Sequence, residues 1–441
     1  MKTQSLYICQ NCGQESPKWL GKCPSCEAWN SFEEDSSSLR FSQNKLSKTP
    51  RNLKIESKSP TLLSGIENKN ASRILTSLDE FNRVLGGGLV KDSIVLLSGE
   101  PGIGKSTLTL QVAVDMAEKE KVLLISAEES LEQIKERSLR MGGKQNSLHV
   151  LNEYNLETII KTINEFKPTV AIIDSIQMIS SLDVPSIAGS VNQVRYCAEQ
   201  LMEVAKTKKI AIILIGHVTK DGSLAGPKIL EHIVDTVLYL EGDSFHQFRM
   251  LKATKNRFGN CQEVGIFEMR ENGMIEVKNP SSQFLEGKIE NSFGSAIAVI
   301  MEGTRPFLVE VQALTSTSSF GYPKRTANGF DINRLQILIA VLEKYGRLNL
   351  QNQDVFINIA GGIKIKDPSA DLAIIMAIAS SLLKKPLPPS CAIFGEVGLC
   401  GEIRKVPFSD KREKEAIKMG FEKIISSKEY KEIKEAVKNL Y

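Results

Sequence analysis

The chain has no run of about 18 apolar residues, the shortest stretch that reads as a membrane helix, and its opening MKTQSLYICQ has no apolar core of a secretory signal. Neither a membrane span nor secretion is expected, and the expected location is the cytoplasm. Strong charge of either sign is also missing: 56 Lys and Arg against 52 Asp and Glu leave a net +4. A polyanion such as nucleic acid would therefore have to be held by local basic clusters rather than by a basic background. Internal repeats are absent, and the only biased tract is EEDSSSLRFSQNKLSKTPRNLKIESKSP, a polar stretch that reads as a linker over residues 33–72. Four of the eight cysteines, Cys197, Cys261, Cys391 and Cys400, share no spacing pattern and read as small buried apolar residues.

What is present is length and pattern. The 441 residues, 41% hydrophobic and 24% charged, provide for two or three domains. From DSIVLLSG (92–99) short β-rich apolar runs alternate with helix-length patterns: KVLLIS (121–126), PTVAIID (168–174), KIAIILIG (209–216) and TVLYLEG (236–242). That alternation predicts an α/β domain over residues 73–280, with a parallel sheet covered by helices on both faces. QEVGIFEMRENGMIEV (262–277) reads as two strands joined through Asn272–Gly273, a hairpin signal. After the break KNPSSQ a second α/β unit is expected over residues 284–441, with strands SAIAVIMEG and PFLVEVQAL and the helix INRLQILIAVLEKYG.

Several motifs carry chemistry. Cys9-x2-Cys12 and Cys23-x2-Cys26 form two knuckles that present four thiolates to one zinc ion, in a module of residues 1–32. With all four positions filled by protein the site is structural; two disulfides would suit a secreted chain instead. GEPGIGKST, Gly99 to Thr107, follows one apolar run and opens a helix, the context required of a P-loop. There Gly99, Glu100, Pro101, Gly102, Ile103 and Gly104 supply backbone to wrap a phosphate of ATP, Lys105 reaches the β- and γ-phosphates, and Ser106, next to Thr107, ligates Mg2+. Asp174, ending its strand, is the carboxylate for the magnesium water shell. Glu128 and Glu129 compete as the base that orients the attacking water. His217 follows another strand at the edge where ligands of open α/β sheets bind. It reads equally as a γ-phosphate sensor or as a structural histidine. Lys220 and Lys228 flank the Gly-rich KDGSLAGPK, suited to a polyanion or to solvent. Finally, KATKNRFGN (252–260) sets Lys255 and Arg257 two residues apart, on one side of an extended segment. Such a pair suits an anion, the ordinary alternative being a solvated surface pair.

Taken together, CQNCGQESPKWLGKCPSC, RVLGGGLVKDSIVLLSGEPGIGKSTL, GHVTKDGSLAGPKILEH, KNRFG and DPSADLAIIMAIA resemble the bacterial RadA (Sms) family of recombination and repair proteins over nearly the whole chain. The resemblance implies a RecA-type P-loop ATPase core that assembles as a homohexameric ring, moves on single-stranded and branched DNA and promotes branch migration. It also implies partnership with the RecA recombinase and other replication or recombination proteins. It favours Glu128 over Glu129 as the water-activating residue and supports His217 as the phosphate sensor. By similarity to ring helicases of the DnaB type, Lys255 and Arg257 would reach the nucleotide of a neighbouring subunit. DNA-facing loops would lie near residues 183–195 and 220–228, with Arg195, Lys220 and Lys228. The C-terminal region resembles the proteolytic domain of Lon: Ser369, in KDPSADL, falls on the nucleophile's position where alanine is usual in the family, and Arg412 falls on that of the lysine. Arginine does not deprotonate at neutral pH, so the expected role is a ring scaffold that contacts DNA. A Lon-like, ATP-regulated serine protease and a nucleotide-switched repair adaptor are the alternatives.

Overall fold

The structure, a computed structural model, describes residues 7–9, 15–24, 29–34, 62, 73–142, 147–217, 227–242, 248–289, 291–318 and 321–439. The expected linker lies almost wholly outside them. The chain divides into two compact units, one of Met1–Thr76, Gly88–Pro101 and Thr109–Val237, the other of Ser77–Gly87, Gly102–Leu108 and Leu238–Tyr441.

In the first unit, β1 (Tyr7–Cys9) pairs antiparallel with β2 (Glu15–Ser16) and β3 (Phe32–Glu34). Cys9, Cys23 and Phe32 form its small buried core, with Tyr7 against it. A short antiparallel pair follows, β4 (Arg73–Ile74) and β5 (Leu89–Val90). Five parallel strands come next: β6 (Ile94–Gly99), β7 (Val122–Ser126), β8 (His149–Asn152), β9 (Val170–Asp174) and β10 (Ala211–Ile215), in the order β6-β10-β9-β7-β8. Every residue of β6, β7, β9 and β10 is buried, as a parallel sheet covered on both faces demands. β8, the edge strand, is exposed at both ends; without a continuous apolar run it gave no signal in the sequence. Side chains cap the helices here. Ser130 makes a capping box with Gln133, Asn155 accepts from Thr158 and Ser190 from Gln193. The helices Leu156–Phe166 and Val191–Lys208 end on Lys167 and Lys209, both with left-handed backbone.

In the second unit, β11 (Thr236–Gly242, its first two residues in the first unit), β12 (Phe248–Asn256), β13 (Val264–Arg270) and β14 (Gly273–Glu276) lie side by side in that order. Arg270 pairs with Gly273, so the turn residues are Glu271 and Asn272. The turn expected at Asn272–Gly273 is shifted by one because Gly273, at φ 113, starts the returning strand. A second sheet is built from β15 (Ser295–Glu302), β16 (Arg305–Thr317), β17 (Arg325–Asn328), β18 (Gln353–Ile359) and β19 (Cys391–Ile393). After the small pair β20 (Glu396–Val397) and β21 (Ile403–Arg404), β22 (Lys423–Ile425) completes it in the order β17-β18-β16-β15-β19-β22.

The helix Asp371–Leu383 is buried through its first eleven residues, which explains the apolar run LAIIMAIA. One core extends from Val264, Ile266 and Val277 through Phe284 to Val309, Leu338 and Ile375. Phe284 meets Phe248 and Phe307 edge to face, at 5.1 and 6.4 Å. The boundary expected near residue 280 therefore falls inside a single core. Of the four scattered cysteines, Cys197 and Cys391 are buried, whereas Cys261 and Cys400 are exposed, against expectation. Cys261 closes the turn after β12, accepting from the Asn256 amide at 3.1 Å, and Cys400 sits between β20 and β21.

Candidate functional site

Three neighbouring parallel strands in the order β10-β9-β7 end at the same sheet edge, so the residues that close or follow them converge. Asp174 ends β9, Glu128 lies two residues past β7, and His217 two past β10. A ligand atom from each lies within 4.8 Å of the others. The Ala127 N–H donates to the Asp174 carbonyl, 2.8 Å, continuing the ladder beyond the strands and carrying Glu128 to its neighbour. Ser175 Oγ donates to Glu128 Oε1, and His217 Nε2 stands 3.3 Å from the same oxygen. Gln177 Nε2 donates to the His217 carbonyl at 3.3 Å, fixing the backbone that carries the imidazole. The buried His217 Nε2 makes no hydrogen bond of its own.

The two candidate glutamates separate cleanly. The Glu129 carboxylate is taken by Arg137, and its amide donates to Ser126 Oγ at 3.0 Å. Glu128 is the one that joins Asp174 and His217. Ser175 and Gln177 escaped sequence reasoning; the seryl position next to Asp174 was the available signal, while Gln177 gave none.

The P-loop joins β6 to the helix Lys105–Met116. Gly102 and Gly104 take φ values of 75 and 111, which side chains rarely adopt. A Cβ on Gly104 would also lie 2.3 Å from Met274 Cε and 2.5 Å from Met269 Cε. Lys105 is 3% exposed, drawn in beside the turn that its motif predicts for phosphate. Arg249, buried at the start of β12, donates from Nε to the Ile103 carbonyl at 3.1 Å. No sequence motif pointed to Arg249.

At the other end of β12 the expected geometry is corrected. Lys255 is the penultimate strand residue, but Arg257 lies beyond Asn256 in a turn, so strand alternation does not govern the pair. Asn256 Oδ1 accepts from the Phe258 amide at 2.9 Å, an Asx-type turn that fixes the exit. Gly259 packs on Gly86 of the GGG turn: a Cβ on Gly259 would stand 3.0 Å from Gly86 Cα. Lys255 lies six residues from Arg249, so at about 3.3 Å per strand residue it sits roughly 20 Å along β12 from the P-loop contact.

Other expected sites are only partly described. Cys9 and Cys23 are buried in the ribbon, while Cys12 and Cys26 lie outside the described residues. Lys220 lies outside them too, as does the side chain of Lys228 in the helix Pro227–Leu230. Arg195 is exposed and paired with Glu199 Oε1 at 2.9 Å.

Ser369 is fully buried. Arg412 Nη1 donates to Ser369 Oγ at 2.7 Å and to the Val299 carbonyl at 2.6 Å, and Arg412 Nη2 pairs with Asp367 Oδ2 at 2.7 Å. Burial pushes the Asp367 carboxyl up, but the Arg412 charge and the Ser369 and Met301 amides outweigh it and hold the group below its ordinary value. A serine buried under a guanidinium has no base to activate it.

Comparison with known proteins agrees with this architecture. Residues 62–223 match the family described as AAA domain, residues 7–34 the rubredoxin metal binding domain, and residues 337–440 the Lon protease (S16) C-terminal proteolytic domain. The DNA repair protein RadA of Bacillus subtilis (strain 168) is 51% identical, covering 96% of this chain and 92% of that one. The proteins of the same name from Streptococcus pyogenes serotype M1 and Listeria monocytogenes serovar 1/2a are 49% and 48% identical, each covering 97% of this chain and 93% of its own. The fold is an α/β P-loop ATPase core with an N-terminal metal-binding ribbon and a C-terminal Lon-protease-like domain.

Proposed function

The chain belongs to the RadA family of DNA repair proteins, and from that premise we propose that it is a DNA-dependent ATPase, a ring motor that drives branch migration of recombination intermediates. The observation that carries the reading is the meeting of Glu128, Asp174 and His217 within 4.8 Å. The backbone of Gly99–Thr107 and the Lys105 ammonium would hold the ATP phosphates. Ser106 and Asp174 are the residues that would hold magnesium, which when bound neutralises charge on the phosphates. Glu128 takes the proton of the attacking water, its carboxylate oriented by Ser175. His217, beside that carboxylate, senses the γ-phosphate. Cys9, Cys12, Cys23 and Cys26 form the zinc site that holds the ribbon together.

The separation of roughly 20 Å between Lys255 and the P-loop contact of its own strand supports a role in trans. In this reading Lys255 and Arg257 enter the site of a neighbouring copy in a homohexamer, where an arginine finger contributes roughly 10³ to 10⁵ in rate. Arg195, Lys220 and Lys228 face DNA within the ring. The burial of Ser369 beneath Arg412 counts against a protease. Glu128→Gln tests the assignment: ATP binding is expected to persist while hydrolysis falls by about 10² to 10⁴. Hydrolysis at the wild-type rate would overturn it.

A further inference from the structure

The first unit holds a second charged concavity, at the sheet edge opposite the carboxylates. A cavity of about 310 Å³ is lined by Lys91, Lys167, Lys208 and Lys209, together with Asn164 and Thr169. Thr169 immediately precedes β9, while Asp174 ends it. Five strand residues at about 3.3 Å each set this cavity some 15 Å or more from the Glu128–Asp174–His217 group.

None of the four ammonium groups makes an ion pair or hydrogen bond among the described residues, whereas neighbouring lysines are committed. Lys206 pairs with Asp235 at 2.9 Å, and Lys121 donates to the Phe166 carbonyl and lies over its ring. The nearest acids in sequence, Asp92 and Glu165, are exposed and bind none of the four.

Cations at helix C-termini complement the helix dipole, and that accounts for Lys208 at the end of its helix. It does not account for Lys91, which lies on no helix. Lys167 (φ 50) and Lys209 (φ 56) are left-handed helix caps, but Arg347 and Lys384 end other helices in the same way, so it is their sharing of one cavity that sets this pair apart. Four lysines with no ion pair among the described residues, lining one cavity at the small end of ligand-site sizes, fit a compact multivalent anion.

We propose that this cavity is a phosphate-binding site, distinct from the P-loop. It takes either the phosphodiester backbone of a nucleic-acid strand or the pyrophosphate group of a free nucleotide. The inference stands on this cavity alone and does not depend on the motor reading.

The test uses the full-length Lys105→Ala protein, so that the P-loop does not report, with and without Lys167→Asn plus Lys209→Asn. Asparagine tolerates the left-handed backbone, so the change removes charge and leaves the helix ends in place. Inorganic pyrophosphate is titrated calorimetrically, and a fluorescein-labelled oligo(dT) is followed by anisotropy across a salt series. Pyrophosphate affinity is expected to fall at least tenfold. If nucleic acid is the source, oligo(dT) affinity also falls and its log–log salt slope flattens by about 1.4, at about 0.7 per lost contact. If a free nucleotide is the source, the oligo(dT) slope stays put while pyrophosphate binding is lost. Unchanged binding of both probes, in a variant whose melting matches its parent, overturns the site. Should the asparagine pair fail to fold, Lys91→Gln plus Lys208→Gln, which touches neither left-handed cap, makes the same comparison.

Discussion

Arg412 falls where the resemblance to Lon would place a lysine, and its hydrogen bonds define what Ser369 can do. The hydroxyl is a buried acceptor for a guanidinium that also neutralises Asp367. Ser369→Ala is expected to cost about 1 kcal/mol, the worth of one hydrogen bond, and a serine-reactive phosphonate is expected to leave the wild type unlabelled. Arg412→Ala strands the Asp367 charge and is expected to cost about 3–5 kcal/mol, read from denaturant melts. The pH dependence follows from the same contact. A carboxyl held below its ordinary value contributes stability above the unfolded-state value near 3.8, and that stability is lost as pH falls through the folded value. Asp367→Asn should therefore flatten the acid limb of a stability–pH curve. Of this network the sequence showed only that an arginine occupied the lysine's place; the aspartate's part in it depends on tertiary approach between β15, the turn before the helix Asp371–Leu383, and the helix Ser409–Lys418.

β12 touches the P-loop at its start and, in the proposed reading, carries the arginine finger at its exit. At its start Arg249 grips the P-loop carbonyl of Ile103, and at its exit the Asn256 turn presents Arg257, braced by Gly259 on Gly86. Gly259→Ala would place a Cβ 3.0 Å from Gly86 Cα and 3.1 Å from Asn256 Nδ2, so the turn must shift. The expected outcome is a folded protein that binds ATP but hydrolyses it as poorly as Arg257→Ala, measured by nucleotide binding and turnover on the same preparations. Gly104→Ala is expected to fail earlier, at ATP binding, because the residue sits at φ 111 against two methionines.

Strands with continuous apolar runs were legible to within two residues, since full burial leaves an unbroken pattern in the sequence. The half-exposed β8 was not, and the hairpin turn slipped by one because Gly273 belongs to a strand. Glu128, Asp174 and His217 were legible as strand-end residues, but spacing left Glu128 and Glu129 equal; only the family resemblance favoured Glu128, and in the structure Arg137 takes the second glutamate. The departure of Arg257 from the strand was invisible, since local spacing does not reveal where pairing stops.

For the whole molecule the motor reading makes demands that no single site satisfies. Mixing Arg257→Ala with Lys105→Ala protein is expected to restore part of the hydrolysis, because hybrid interfaces pair an intact finger with an intact P-loop; a dead mixture of assembled rings would return KNRFG to another role, such as DNA coupling. ATP turnover is expected to rise with single-stranded or branched DNA, and DNA affinity to fall as salt rises. The most direct measurement is branch migration of a purified three-strand intermediate by wild type, Lys105→Ala and Arg257→Ala proteins in the presence of ATP. The wild type is expected to extend the heteroduplex while both variants leave the branch point in place. A wild type that assembles and hydrolyses ATP but does not move the branch, or an Arg257→Ala protein that moves it equally well, would contradict the account.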